Sequence, residues 1–169
     1  RRGMTSPPFR PDRMPFLDKA EPEAWAAATS LSASVRESAL QQGLSVAETE
    51  YIKVRASQLN GCAFCLDLHG RQARAAGIPQ QKLDLLPAWR DSTLFTDRET
   101  AVLAVAEAAT LLPLTADLHA DLLAAREILG DEQFVAAEWV AVAINAFNRV
   151  SILSGHPVKP RDADGKPLR

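Results

Sequence analysis

Apolar residues along the chain recur three and four apart in segments of helix length, and almost nowhere alternate with polar ones. Start signals for helices recur with them. Pro22 stands at a first-turn position, Ser45 with Glu48 and Thr96 with Glu99 form capping boxes, Thr115 precedes "ADLHADLLAA", and Asp131 precedes "EQFVAAEWV". Stop signals fall between them at Gly43, Asn60-Gly61, Gly77 and Gly130, residues that tolerate the left-handed backbone ending a helix. The pattern predicts about seven helices, near 22–41, 45–59, 62–76, 79–90, 97–111, 115–129 and 131–153. The last is apolar over most of its circumference, with Val135, Trp139, Val142 and Phe147 among its residues, which makes it a central or interface helix. The expected fold class is all-α, a single domain over 21–155.

The ends read differently. Residues 1–20 carry four prolines and no sustained periodicity, so an extended arm that packs on a neighbour is expected there. Residues 156–169, with three prolines and many charges, read as a tail. Arg1-Arg2-Gly3, before Met4, stay outside the fold argument.

Composition changes this picture little. A chain of 169 residues with 47% hydrophobic and 24% charged residues is ordinary for one globular core, and a domain of this size buries about 70% of its unfolded surface without staples. A net charge of -2, with both signs mixed along the chain, argues against nucleic acid and anionic membranes as partners. No apolar run approaches the roughly 18 residues of a membrane span, and no secretory segment is recognisable, so a cytoplasmic location is expected.

Chemistry concentrates in "NGCAFCLDLH", residues 60–69, which holds both cysteines of the chain and one of its three histidines. With a helix starting after Asn60-Gly61, Cys62 lies where unpaired N–H groups and the helix dipole favour a thiolate. At about 100° per residue, Cys62, Cys65 and His69 share an arc of roughly 60°, while Asp67 and Arg71 point away from it. Cys65 and His69 are also an i, i+4 pair, so the imidazole can take the thiol proton. A disulfide across so short a loop adds little chain-entropy stabilisation, and its value is chemical: oxidation of one thiol and resolution by the other. Glu50, twelve residues before Cys62, folds back toward the cysteine face if the two helices form a hairpin, and a carboxylate there can fix the tautomer of His69.

Other readings compete. The cysteines can be inert core residues. Zinc can use Cys62, Cys65 and His69 with Glu50, His119 or His156 as a fourth ligand, although structural zinc normally takes a second, separate ligand pair. His119 reads as a surface residue of an amphipathic helix and His156 as a helix-end marker, so neither enters the site. Trp25, Trp89 and Trp139, with Phe95, Phe134 and Phe147, read as core or interface aromatics. Asn145, Asn148 and Arg149 suit either a substrate contact or a cap on a neighbour.

The stretches "ETEYIKVRASQLNGCAFCLDLHGRQARAAG" and "LLPAWRDSTLFTDRETAVLAVAEAAT", with "INAFNR" further on, resemble the AhpD-like alkylhydroperoxidases of the carboxymuconolactone decarboxylase superfamily. The resemblance runs from about Glu48 to Arg149. The family pattern of a glutamate, eleven residues and C-x-x-C-x-x-x-H is met by Glu50, Cys62, Cys65 and His69. It implies a helical homo-oligomer, trimer or hexamer, and a peroxidase cycle without a bound cofactor or metal. Cys65 would be oxidised by the hydroperoxide, Cys62 would resolve it, Glu50 and His69 would relay protons, and an external dithiol of lipoyl or thioredoxin type would reduce the disulfide. The helix dipole alone favours Cys62 as the more acidic thiol; the histidine base and the family favour Cys65 as the one attacked. The chain departs from the family at Phe64, where its well-studied enzymes carry a further histidine. Two alternatives remain: a redox sensor or dithiol-exchange protein, and a lactone decarboxylase that does not use the dithiol.

Overall fold

A computed structural model of the chain describes residues 14–168. The described chain is all-helical, with one isolated β-bridge between Arg161 and Pro167 in the C-terminal segment. The helices are α1 (Leu17–Ala20), α2 (Pro22–Gln41), α3 (Val46–Asn60), α4 (Ala63–Ala75), α5 (Gln80–Leu85), a 3₁₀ helix (Leu86–Asp91), α6 (Asp97–Thr110), α7 (Ala116–Leu129) and α8 (Asp131–Ser154). None is long and apolar enough to cross a membrane.

Both expected capping boxes form. Ser45 Oγ accepts from Glu48 N at 3.1 Å while Glu48 Oε2 accepts from Ser45 N at 2.8 Å. Thr96 and Glu99 exchange the same pair of bonds at 3.2 and 2.9 Å. Such reciprocal caps satisfy two otherwise orphaned donors and set where α3 and α6 begin. Two expectations need correction. The helix over 79–90 is two: Pro87 has no N–H to give, so the α-helix ends at Leu85 and the chain tightens into 3₁₀ geometry, with Ala88 off helical angles at φ -123°, ψ 27°. Asp131 is not a cap. Gly130 holds that position, and the Asp131 carboxylate instead accepts two bonds from Arg126, at 2.6 and 3.0 Å.

The arm expected over residues 1–20 lies outside the described residues as far as residue 13, and its last part contains α1. Central position in the fold belongs to α8, which packs against α2, α3, α4, α6 and α7. Its buried face carries Ala137, Val140, Ala141 and Ile144, small and branched residues that let neighbouring helices approach closely. Its opposite face leaves Val135, Trp139 and Val142 about half exposed. Buried carboxylates tie the layers together. Glu48 accepts from Arg98 at 2.7 Å, joining α3 to α6, and Arg98 also reaches Gln133 of α8 at 2.7 Å. Glu107 of α6 collects Trp89, Arg55 and Arg90.

Candidate active site

The reversal between α3 and α4 builds the site. Gly61 takes left-handed angles, φ 67° and ψ 34°, which a residue with a side chain adopts only at a cost, and Cys62 N then donates to Ser57 O at 3.0 Å. The turn is held to α8 by a buried amide network. Asn60 Nδ2 donates to Oδ1 of both Asn145 and Asn148 at 2.9 Å, and Asn148 Nδ2 donates to Ser57 Oγ at 3.0 Å. Asn145 also donates to Thr110 Oγ1 and Ala141 O, and accepts from Arg149. Asn145, Asn148 and Arg149 therefore anchor the cysteine turn from behind.

With α4 folded back on α3, Glu50 comes to His69. Glu50 Oε2 lies 2.9 Å from His69 Nδ1 and its Oε1 accepts from Lys53 Nζ at 3.0 Å. The glutamate is only 3% exposed. Burial opposes its ionisation, but the bond to His69 and the charges of Lys53 and His69 outweigh burial and hold its pKa below the ordinary glutamate value. With Nδ1 committed to the carboxylate, the neutral ring carries its proton there and presents Nε2 as its basic nitrogen.

Cys62 is the N-cap of α4, and its sulfur accepts from Cys65 N at 3.3 Å. The two cysteines are joined as a disulfide, with Cα atoms 5.3 Å apart, inside the range a bridge spans. They are not equivalent. Cys65, 4% exposed, lines a cleft of about 1180 Å³ together with His69 and Glu50, whereas Cys62, 1% exposed, does not line it. Asp67 and Arg71 point elsewhere as their helical phase predicts. Asp67 accepts from Arg71 at 3.1 Å and from Arg161 at 3.3 Å.

The cleft also takes in residues that sequence reading left out. Lys53 is one turn from Glu50, and that i, i+3 spacing was its available signal. His156, set aside as a helix-end marker, lines the cleft: Gly155 turns the chain after α8, and the imidazole reaches Asp18 Oδ1 at 2.9 Å and Ser151 Oγ at 3.3 Å. Its ring lies against Phe16 and against Phe64, at 4.9 and 5.3 Å between centroids. Trp25 and Phe147, read as core or interface aromatics, meet edge to face at 5.6 Å on the cleft wall. His119 lines no part of the cleft. No three of the described His, Cys, Asp and Glu residues are grouped so as to hold a metal ion.

Known proteins resemble the chain at the level of both sequence and fold. The profile of the carboxymuconolactone decarboxylase family matches residues 20–108. The uncharacterized protein YdfG of Bacillus subtilis is 35% identical over 116 residues, 69% of this chain and 79% of that protein. The uncharacterized protein YnjA of Escherichia coli is 35% identical over 66 residues, 39% of this chain and 36% of that one. A crystal structure from Agrobacterium tumefaciens superposes with a TM-score of 0.73 at 34% identity, covering 84% of this chain and 96% of that one. It is a protein of unknown function and a candidate antioxidant defence protein AhpD.

Proposed function

The chain belongs to the carboxymuconolactone decarboxylase family, in its AhpD-like branch, and from that premise we propose that it is a thiol-dependent alkylhydroperoxide reductase. One observation carries the reading: Cys65 stands on the wall of a large cleft beside a histidine already oriented by a buried carboxylate, with a second thiol bonded to it from behind.

In the reduced protein, His69 Nε2 takes the proton of the Cys65 thiol, and Glu50 stabilises the imidazolium through Nδ1. The thiolate attacks the terminal oxygen of the hydroperoxide and the O–O bond breaks. The alkoxide takes the proton from His69 and leaves as the alcohol, and Cys65 becomes a sulfenic acid. Cys62 then attacks the Cys65 sulfur as a thiolate, favoured by the amide N–H of Cys65 that points at its sulfur. Hydroxide leaves, takes up the Cys62 proton as water, and the disulfide forms. An external dithiol, of lipoyl or thioredoxin type, returns both thiols by exchange and is itself oxidised. The cytoplasm is the compartment that keeps such dithiols reduced. The cycle needs no bound cofactor. A homo-oligomer, trimer or hexamer, belongs to the same reading, supported by the half-exposed Val135, Trp139 and Val142 of α8.

Cys65→Ser should abolish consumption of cumene hydroperoxide. Cys62→Ser should complete one turnover and stop with a sulfenic acid that dimedone traps. Wild-type turnover by Cys65→Ser would sink the proposal.

A further inference from the structure

The formal net charge of the chain is -2, yet the cleft beside Cys65 is electropositive. Its walls carry Lys19, Arg36, Lys53 and Lys159 against two carboxylates, Asp18 and Glu50. With the histidines neutral, two positive charges are in surplus. Both carboxylates are already held: Glu50 by Lys53 and His69, Asp18 by His156 at 2.9 Å and Lys19 at 3.4 Å. Arg36, on α2, and Lys159, in the C-terminal segment, have no carboxylate partner among the described residues. Charges of one sign along low-dielectric walls focus the field and concentrate ions of the other sign.

Most of the rest of the wall is apolar. Trp25 and Phe147 form an aromatic corner, and Phe64, Leu68 and Ile144 line the same space. At about 1180 Å³ the cleft exceeds the roughly 300–1,000 Å³ of a site for a drug-sized molecule, far more than hydrogen peroxide or a short alkyl hydroperoxide fills. Long apolar walls with unpaired cations match a molecule of complementary build.

We propose that the cleft binds an amphiphilic carboxylate, a long apolar chain with one anionic head, and that the hydroperoxide reduced at Cys65 is of this class, a fatty-acid hydroperoxide. The apolar chain lies against Trp25 and Phe147. The head pairs with the Arg36 guanidinium, whose planar fork donates two parallel hydrogen bonds to a carboxylate, while Lys159 adds to the attractive field. The binding half stands on the cleft alone, and the substrate half rests on the peroxidase reading.

Calorimetric titration of the wild-type protein with dodecanoate and with dodecan-1-ol tests the binding half, since the two share the chain and differ in the head. Dodecanoate should bind about tenfold tighter at low salt, with the gap narrowing as salt rises. Arg36→Ala should remove most of that preference, Arg36→Lys should keep part of it, and Lys159→Ala should trim it two- to threefold or so. Equal affinity for acid and alcohol, no binding of dodecanoate, or a preference untouched in both alanine variants would overturn it. The substrate half is read from kcat/KM for linoleic acid hydroperoxide against its methyl ester. A clear preference for the acid, lost in Arg36→Ala, supports it, and equal rates overturn it. If neither hydroperoxide is consumed while dodecanoate binds as expected, the peroxidase reading falls and the binding site stands.

Discussion

Two buried glutamates, Glu107 and Glu50, look alike by burial and charge and differ in what surrounds them. Glu107, 6% exposed, accepts from Trp89 Nε1 at 2.8 Å, from Arg55 Nε at 2.9 Å and from Arg90 through two nitrogens at 2.8 and 3.1 Å. Glu50 accepts from Lys53 and pairs with an imidazole. In both, burial opposes ionisation and the partners outweigh it, so both carboxyls ionise more readily than a free glutamate. A buried, ionised carboxylate is therefore not in itself a mark of a site. The partners of Glu107 carry fixed charge or a fixed N–H and exchange no proton near neutral pH. Glu50 instead holds an imidazole, a side chain with two ring nitrogens that can give or take a proton, and that ring shares a cleft wall with a cysteine.

The largest effect that tests this contrast is on folding. Glu107→Gln removes the counter-charge of Arg55, whose side chain is well buried, and should cost about 3–5 kcal/mol in denaturant unfolding. Peroxide turnover per folded molecule should change little. A loss under about 1 kcal/mol would mean that the cluster does not tie α3, α6 and the 3₁₀ helix together. The next effect is on chemistry. Glu50→Gln should lower hydroperoxide turnover by about a hundredfold, the scale of a lost proton relay, and should cost less stability than Glu107→Gln. Unchanged turnover would reduce Glu50 to the same structural role as Glu107.

What could be read from the sequence is what local spacing encodes. Ser45 with Glu48 and Thr96 with Glu99 announce their helices because a capping box spans three residues. Cys65 and His69 announce a shared face because a helix repeats every 3.6 residues. Glu50 lies farther off, but a single helical hairpin carries it to His69, so one break at Asn60-Gly61 was enough to suggest the meeting. Contacts assembled across the fold had no such signal. Asp18 and His156 stand 138 positions apart, and Arg55 and Glu107 stand 52 apart. The first pairing depends on where α1 and the segment after α8 pack, and the second on how α3 lies against α6. Trp25 and Phe147 show the related limit: apolar residues look alike in sequence whether they fill a core or line a cleft. The break at Pro87 is different, since its missing N–H was visible and its effect on 79–90 follows from local rules.

A smaller effect sharpens how the cleft side is held in place. Asn148 is fully buried and joins Asn60 of the turn to Ser57 of α3. Asn148→Ala leaves the Ser57 hydroxyl without that donor and should cost about 1–2 kcal/mol in unfolding. Because Asn60 also bonds Asn145, the turn should persist, and turnover should fall only a fewfold. A loss of activity as deep as that of Glu50→Gln would mean that the network does more than anchor the turn.

The finest distinction lies in acid. A carboxyl whose folded pKa is below its unfolded value of about 4.5 stabilises the fold fully above that value, and the contribution drains away as pH falls through the folded pKa. Glu107 and Glu50 both qualify, so neither tilts stability between pH 5 and 7, and both do below pH 4.5 or so. A glutamine resembles a protonated glutamate in shape and charge. The stability gap between wild type and Glu107→Gln should therefore be widest near neutral pH and close as the pH drops below 4.5 or so, and the smaller gap for Glu50→Gln should close over the same side of the curve. Urea unfolding of the three proteins from about pH 7 to pH 3 reads both gaps. A gap independent of pH would mean that the carboxyl ionises alike in the folded and the unfolded chain. For Glu50 that result would mean that the contacts with His69 and Lys53 do not favour its ionised form in the fold.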